Sequence, residues 1–257
     1  MALCLFCLPA WGAQQRPLCL ECHPSHHAAQ GGCVGCHRGN PNTRRKNIAH
    51  HRLIAGRFAL FTLGDSSVRG GKRLMEQCAC QRCHVSGGKG NRLATSLDTL
   101  PDARTPEEIL SVIRSPALGM PDFRLTEAQA VALVNVVQYG AGQAGRKGAS
   151  RPLVLHFEAG PKGEKDIFTR QCGPCHRALT ERHGLIGSGA IGPNLSGLLS
   201  AWYPRTYGKG EAWTVERLQR WLKNPRSVRP WAGMPPVALS PDEFRQLAAL
   251  LEVSGPE

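Results

Sequence analysis

Cys19-Leu20-Glu21-Cys22-His23, Cys33-Val34-Gly35-Cys36-His37, Cys80-Gln81-Arg82-Cys83-His84 and Cys172-Gly173-Pro174-Cys175-His176 are four copies of one pentapeptide, Cys-x-x-Cys-His. The spacing has a chemical meaning. Two thiols three positions apart on one turn can add across the two vinyl groups of a single porphyrin while the adjacent imidazole reaches its iron, which is the attachment pattern of c-type haem. The same Cys-x-x-Cys pair is also half of a zinc site. The chain has ten histidines in 257 residues. Chance would place one after all four pairs with odds of roughly one in a few hundred thousand, and zinc ribbons do not need it there. Four covalently attached haem c groups are therefore expected. They would be bound through Cys19, Cys22, Cys33, Cys36, Cys80, Cys83, Cys172 and Cys175, with His23, His37, His84 and His176 as proximal iron ligands. A fifth pair, Cys4 and Cys7, is followed by Leu8 and is not counted.

A chain of this length has room for two or three small domains. Aromatic residues make up only 6% of it, which would leave ordinary cores thinly filled; haem would supply the missing apolar bulk. The run Met1-Ala2-Leu3-Cys4-Leu5-Phe6-Cys7-Leu8-Pro9-Ala10-Trp11-Gly12-Ala13 is apolar and ends in small residues. It reads as a secretory signal over 1–13, although no Lys or Arg precedes the apolar run. Export agrees with the motifs, because c-type haem is attached after translocation, and places the protein in the periplasm or elsewhere outside the cytoplasmic membrane. No stretch of the mature chain has the apolar length that spans a bilayer. Once the leader is removed, Cys78 is the one cysteine outside the motifs. It is read as a stray thiol, with a Cys78-to-Cys83 attachment as the alternative. The formal charge of +13 points to an anionic partner. Nucleic acid is a poor candidate outside the cell, and haem propionates offset part of the charge, so an acidic or membrane-bound redox partner is the expectation.

Residues 14–57 hold two motifs in too little chain to bury two haems by ordinary packing, so the haems must pack largely on each other with little regular structure around them. Methionine is absent between Met1 and Met75, while His26, His27, His50 and His51 supplement the motifs. Bis-histidine ligation is thus the simplest count. His26 lies three residues past His23 and cannot easily swing to the far face of the same porphyrin, so it is assigned to the iron of His37. His50, or its neighbour His51, would then cap the iron of His23; His27 is the alternative to His26. Arg44, Arg45 and Lys46 are candidates for pairing with propionates.

From residue 58 the pattern turns helical and then repeats. In 58–142 a helix through Gly71 to Glu76 leads into the third motif. Thr105-Pro106-Glu107-Glu108 is a capping box that opens a second helix, and Thr126-Glu127-Ala128-Gln129 opens a third. A Gly-rich linker follows at 143–160. In 161–257 a helix through Ile167 and Phe168 enters the fourth motif, another starts at Thr214, and Ser240-Pro241-Asp242-Glu243 caps the last. Gly71 and Gly163 stand at the same distance before Cys80 and Cys172. Each half also carries one Gly-Met-Pro turn ahead of its last helix, Gly119-Met120-Pro121 and Gly233-Met234-Pro235. A soft thioether on a turn is a distal haem ligand, so Met120 and Met234 are expected to complete His/Met sites. The longer span between His176 and Met234 contains Trp202, Tyr203, Tyr207 and Trp213, an aromatic loop expected to fold over one edge of the fourth haem. The fold class is mainly α: a haem-packed front segment followed by two small tandem helical domains.

Residues 58–142 and 161–254 each resemble the monohaem class I cytochrome c domain, with a helix into Cys-x-x-Cys-His, a Gly-Pro-x-Leu loop and a Met-Pro turn before the last helix. The second copy has Gly192-Pro193-Asn194-Leu195. The first has Gly90-Asn91-Arg92-Leu93, without the proline. The front segment, through Cys22-His23-Pro24-Ser25-His26, the second motif and Ala49-His50, looks like the dihaem modules of periplasmic multihaem cytochromes. The order of parts is similar to cytochromes thought to serve selenite or tellurite reduction or extracellular electron transfer. The resemblance implies an exported electron carrier, not a catalyst, with two bis-His haems feeding two His/Met haems. The alternatives are a multihaem reductase of an oxyanion or peroxide, for which His156 and His183 are spare histidines, and a cytochrome subunit of a membrane redox complex docking through Arg217, Arg220, Lys223, Arg226 and Arg229.

Overall fold

The computed structural model describes residues 16–117, 119–144 and 166–254. The stretch read as a leader and most of that read as a linker, with Gly163 and His156, lie outside the described residues. The chain divides into two compact units, one ending at Ala59 and the other running from Leu60 onward.

The first unit is built of single turns, as a segment with few apolar residues to bury requires. Short 3-10 turns cover Leu18–Glu21 and Ala28–Gln30, and one-turn helices cover Cys33–His37 and Lys46–Ala49. Glycine and left-handed residues break the chain between them: His27 has φ 48° and Arg38 φ 58°. Arg44, a candidate for haem propionates, instead forks onto the Glu21 carboxylate with two bonds of 2.8 Å. That hydrogen bond, with the nearby guanidinium charge, holds the exposed Glu21 carboxyl below its ordinary range. The pair ties residue 44 to the middle of the first motif.

The second unit contains both helical halves. In the first half, α1 (Asp65–Gln77) buries Val68, Gly71 and Met75. The second helix, α2 (Pro106–Arg114), starts at a reciprocal capping box: Thr105 Oγ1 accepts from Glu108 N–H at 3.2 Å, and Glu108 Oε2 accepts from Thr105 N–H at 2.8 Å. The long α3 (Glu127–Ala144) is buried on most sides and runs two residues into the stretch read as linker. Helices α1 and α3 touch at Gly71, where a Cβ would lie 2.5 Å from Ala132 O and 2.6 Å from Val136 Cγ2. Only hydrogen in place of a side chain allows this approach. Asn135, buried within α3, accepts from Phe61 N–H at 3.0 Å and so fixes the chain that enters α1.

The second half repeats the plan with α4 (Ile167–Gln171), α5 (Val215–Lys223) and α6 (Pro241–Leu251), capped by Asp166, Thr214 and Ser240. Its core joins Phe168, Tyr203, Tyr207, Leu218, Trp221, Leu222, Leu247 and Leu251. One feature is absent from the sequence reading: a two-stranded antiparallel hairpin of β1 (Ala178–Thr180) and β2 (Gly184–Ile186), with Leu179 opposite Leu185. His183 sits on its turn, where its N–H donates to Thr180 Oγ1. Among the described residues no other sheet occurs, and no helix is long and apolar enough to cross a membrane.

Candidate functional site

All four motifs adopt one turn. In the first, third and fourth, the carbonyl of the leading cysteine accepts from both the second cysteine and the histidine: Cys19 O from Cys22 and His23, Cys80 O from Cys83 and His84, Cys172 O from Cys175 and His176, at 2.8–3.2 Å. The second motif forms the helix Cys33–His37 itself. Winding the chain this way brings two thiols and an imidazole to one turn. Cys78 does not share it, since it caps the end of α1 through its N–H to Leu74 O. The nine described cysteines are all free thiols, so none of the eight motif sulfurs is spent on a disulfide.

Three of the motif imidazoles are oriented in the same manner. Nδ1 of His37 lies 2.9 Å from Ile54 O, Nδ1 of His84 2.7 Å from Thr95 O, and Nδ1 of His176 2.8 Å from Pro193 O. A carbonyl only accepts, so each Nδ1 carries the proton and each Nε2 presents a lone pair, as a metal-bound imidazole requires. His84 is half-buried, and its partial desolvation pushes its pKa down.

These bonds correct the reading of the first proximal loop. In the second half, Gly192 N–H donates to Cys175 O and Leu195 N–H to Arg177 O; in the first half, Ala94 N–H donates to Cys83 O and Leu97 N–H to Val85 O. The counterpart of Gly192-Pro193-Asn194-Leu195 is therefore Ala94-Thr95-Ser96-Leu97, not Gly90-Asn91-Arg92-Leu93. The acceptor is a backbone carbonyl, which threonine supplies as well as proline. It stands 11 residues after the histidine in the first half and 17 in the second, where β1 and β2 occupy the extra length.

Among the residues expected as distal ligands, Nε2 of His26 faces Nε2 of His37 at 3.3 Å. The His50 ring stands 5.9 Å from that of His23, tilted by 54°. His27 is edge-on to His26 rather than to a motif histidine, and His51 is exposed whereas His50 is half-buried. Met120 is half-buried on a turn closed by its N–H to Ala117 O. Met234 packs on the second core, where its Sδ accepts from Trp221 Nε1–H at 3.0 Å. Sequence alone does not single out Trp221; its signal is its position on the buried face of α5 beside Leu218 and Leu222.

The site residues fit haem on several independent grounds. Among the described residues no cluster of three or more His, Cys, Asp or Glu could hold a metal by itself, whereas iron in a porphyrin needs only axial ligands from the chain. Burial pushes the Cys80 thiol up to about 12, helped by the charge of Cys78, and the Cys172 thiol up to about 11. Burial of these two sulfurs suits an uncharged thioether. Tyr207 has a buried hydroxyl with no partner, the kind of orphan that implies a missing polar group. Tyr207 and Tyr203 are buried in the core that includes Met234, with Trp213 edge-on to Tyr207 at 5.2 Å. Gly192 lies so close to His176 that a Cβ would meet its ring at 2.1 Å.

Comparison with known proteins agrees with this chemistry. Residues 66–139, from α1 through the third motif to α3, match the family model described as cytochrome c oxidase, cbb3-type, subunit III. The match supports a c-type cytochrome. A cytochrome c domain implies covalently bound haem c, electron transfer and redox partners. Neither the curated proteins nor the solved structures yield a match.

Proposed function

We propose that the chain is an exported tetrahaem c-type cytochrome that carries electrons between a respiratory donor and a periplasmic or outer-surface acceptor. The observation that carries the reading is the repeated turn, on which free paired thiols accompany an imidazole, and in three of the four copies Nδ1 of that imidazole is tied to a carbonyl so that Nε2 faces away for iron. Haem iron supplies the one-electron chemistry; the chain supplies axial ligands, orientation and a low-dielectric surround. His37 with His26, and His23 with His50, would form two bis-His sites. His84 with Met120, and His176 with Met234, would form two His/Met sites. Thioether ligation raises the potential of c-type iron, so the front pair is the low-potential end and electrons run from it to the helical halves.

The carrier reading requires that each iron be closed on its far side. Low-temperature magnetic resonance of the ferric protein should count two bis-His and two His/Met centres, and the ferrous protein should not bind carbon monoxide. A high-spin centre that binds carbon monoxide would instead identify an open iron and a reductase.

A second reading, a cytochrome subunit of a membrane redox complex, is favoured by the description of the matched model, an oxidase subunit. The basic residues considered for docking are partly engaged within the chain: Arg217 pairs with Glu211, and Arg229 donates to Thr206 O and covers the Trp221 ring. Arg220 and Lys223 are the exposed cations on α5. Purification from membranes as part of an oxidase would support this reading over a free carrier.

A further inference from the structure

The two halves of the second unit meet through residues that flank their haem motifs, and one side chain reaches from one ligand loop to the other. Pro193 O accepts from His176 Nδ1, and the next residue, Asn194, reaches toward the first half. Its Oδ1 accepts from Ser196 N–H at 2.9 Å and from Ser196 Oγ–H at 2.6 Å, which fixes the amide with Nδ2 as the donor end. Nδ2 then donates at 3.2 Å to Gly119 O, 75 positions away in the chain. That oxygen belongs to the peptide unit directly before Met120.

The contact is held from several sides. Arg82, inside the third motif, donates to Asn194 O at 3.2 Å, and Tyr203 Oη–H donates to the same oxygen at 3.1 Å. Asn91 Nδ2 joins Arg82 O at 2.8 Å to Ser200 Oγ at 2.7 Å. Two glycines with positive φ permit the approach. A Cβ at Gly197 would lie 2.6 Å from Arg82 O, and one at Gly119 would lie 2.6 Å from Leu185 Cδ1 on β2.

We propose that Asn194 is a positioning residue for Met120: it locks the distal-ligand turn of the first half onto the proximal loop of the second, so that the third iron keeps its thioether only while the two halves are docked. The proposal rests on Met120 being that ligand. Among the described residues, the Met120 turn is closed by a backbone bond from Met120 N–H to Ala117 O at 3.1 Å. The Asn194 amide is the bond that ties it to the other half, and Leu185 is the side chain under it.

The test uses the haem-loaded full chain. Asn194→Asp keeps the Oδ1 acceptor for Ser196 but replaces the Nδ2 donor with an oxygen facing Gly119 O. Leu185→Ala removes the half-exposed side chain beside Gly119 and touches neither motif. The readout is the iron–thioether charge-transfer absorption of the ferric protein, titrated with imidazole, which takes the position a methionine vacates. Losing one such hydrogen bond should let imidazole bind one iron about tenfold more tightly, while the iron of Met234 titrates as before; Leu185→Ala should move the same iron in the same direction. Met120→Ala must remove half of the absorption. If it removes none, the ligand assignment fails, and the proposal with it. If it removes half, but both Asn194→Asp and Leu185→Ala leave imidazole affinity unchanged, the positioning role is refuted and the ligand assignment stands.

Discussion

Gly192→Ala tests how tightly the second half grips its proximal imidazole. A Cβ there would lie 2.1 Å from His176 Cε1, 2.5 Å from Nδ1 and 2.7 Å from Nε2. Carbon atoms rest at about 3.5–4.0 Å, so the ring must retreat by roughly 1.4 Å or more. The bond from His176 Nδ1 to Pro193 O is 2.8 Å; after such a shift it would exceed the ~3.2 Å limit of a hydrogen bond. Losing it costs about 0.5–1.5 kcal/mol and the overpacking about 1–3 kcal/mol, together roughly 2–4 kcal/mol. For a unit of this size the melting temperature should fall by about 6–12 °C. The first half provides the contrast, because Ala94 occupies the equivalent position and already carries a Cβ. Ala94→Gly should therefore change stability by no more than about 1 kcal/mol. Thermal unfolding of the haem-loaded chain, followed by circular dichroism, measures both. Unfolding of Gly192→Ala at the original temperature would refute the argument that this glycine is required by the ring.

Three further outcomes follow from the geometry. Gly71→Ala gains about 1 kcal/mol of helix propensity but forces a methyl against Ala132 O and Val136, so a net loss of roughly 1–2 kcal/mol is expected in denaturant unfolding. Trp221→Phe removes the donor to Met234 Sδ, making the thioether a better electron donor; one potential in a redox titration should fall by up to ~60 mV, a tenfold change for one electron. The backbone N–H groups of Thr105 and Ser240 donate to the Glu108 and Glu243 carboxyls and hold them below their ordinary 4.5. A depressed carboxylate adds stability that is present above 4.5 and lost as pH falls through the lowered value. Thermal unfolding against pH should weaken on that acid side, and Glu108→Gln with Glu243→Gln, which keep the capping geometry, should flatten the slope.

Local chemistry made much of this legible in sequence. Capping boxes at Thr105 and Ser240 need only residues three apart, and the haem motif needs five. The nearness of His26 to His37 follows from chain stiffness, since a residue three past His23 cannot reach around its own ring. What was hidden depends on backbone or on distant partners. The acceptor for His84 is a carbonyl that any residue offers, so a Gly-x-x-Leu pattern points four residues early, to Gly90 rather than Ala94. The hairpin at 178–186 has three-residue strands, too short for a period to register. The pairing of Arg44 with Glu21 spans 23 positions and has no local signature. The Asn194–Gly119 bond spans 75 positions and leaves no trace in local pattern.

The account depends on four porphyrin irons being covalently held by this one polypeptide. Intact-mass spectrometry of the mature, denatured protein tests that directly. The account predicts the mass of the processed chain plus four haems, with each of the four Cys-x-x-Cys-His peptides carrying one after proteolysis. A chain carrying fewer, or motif peptides with unmodified thiols, would contradict it.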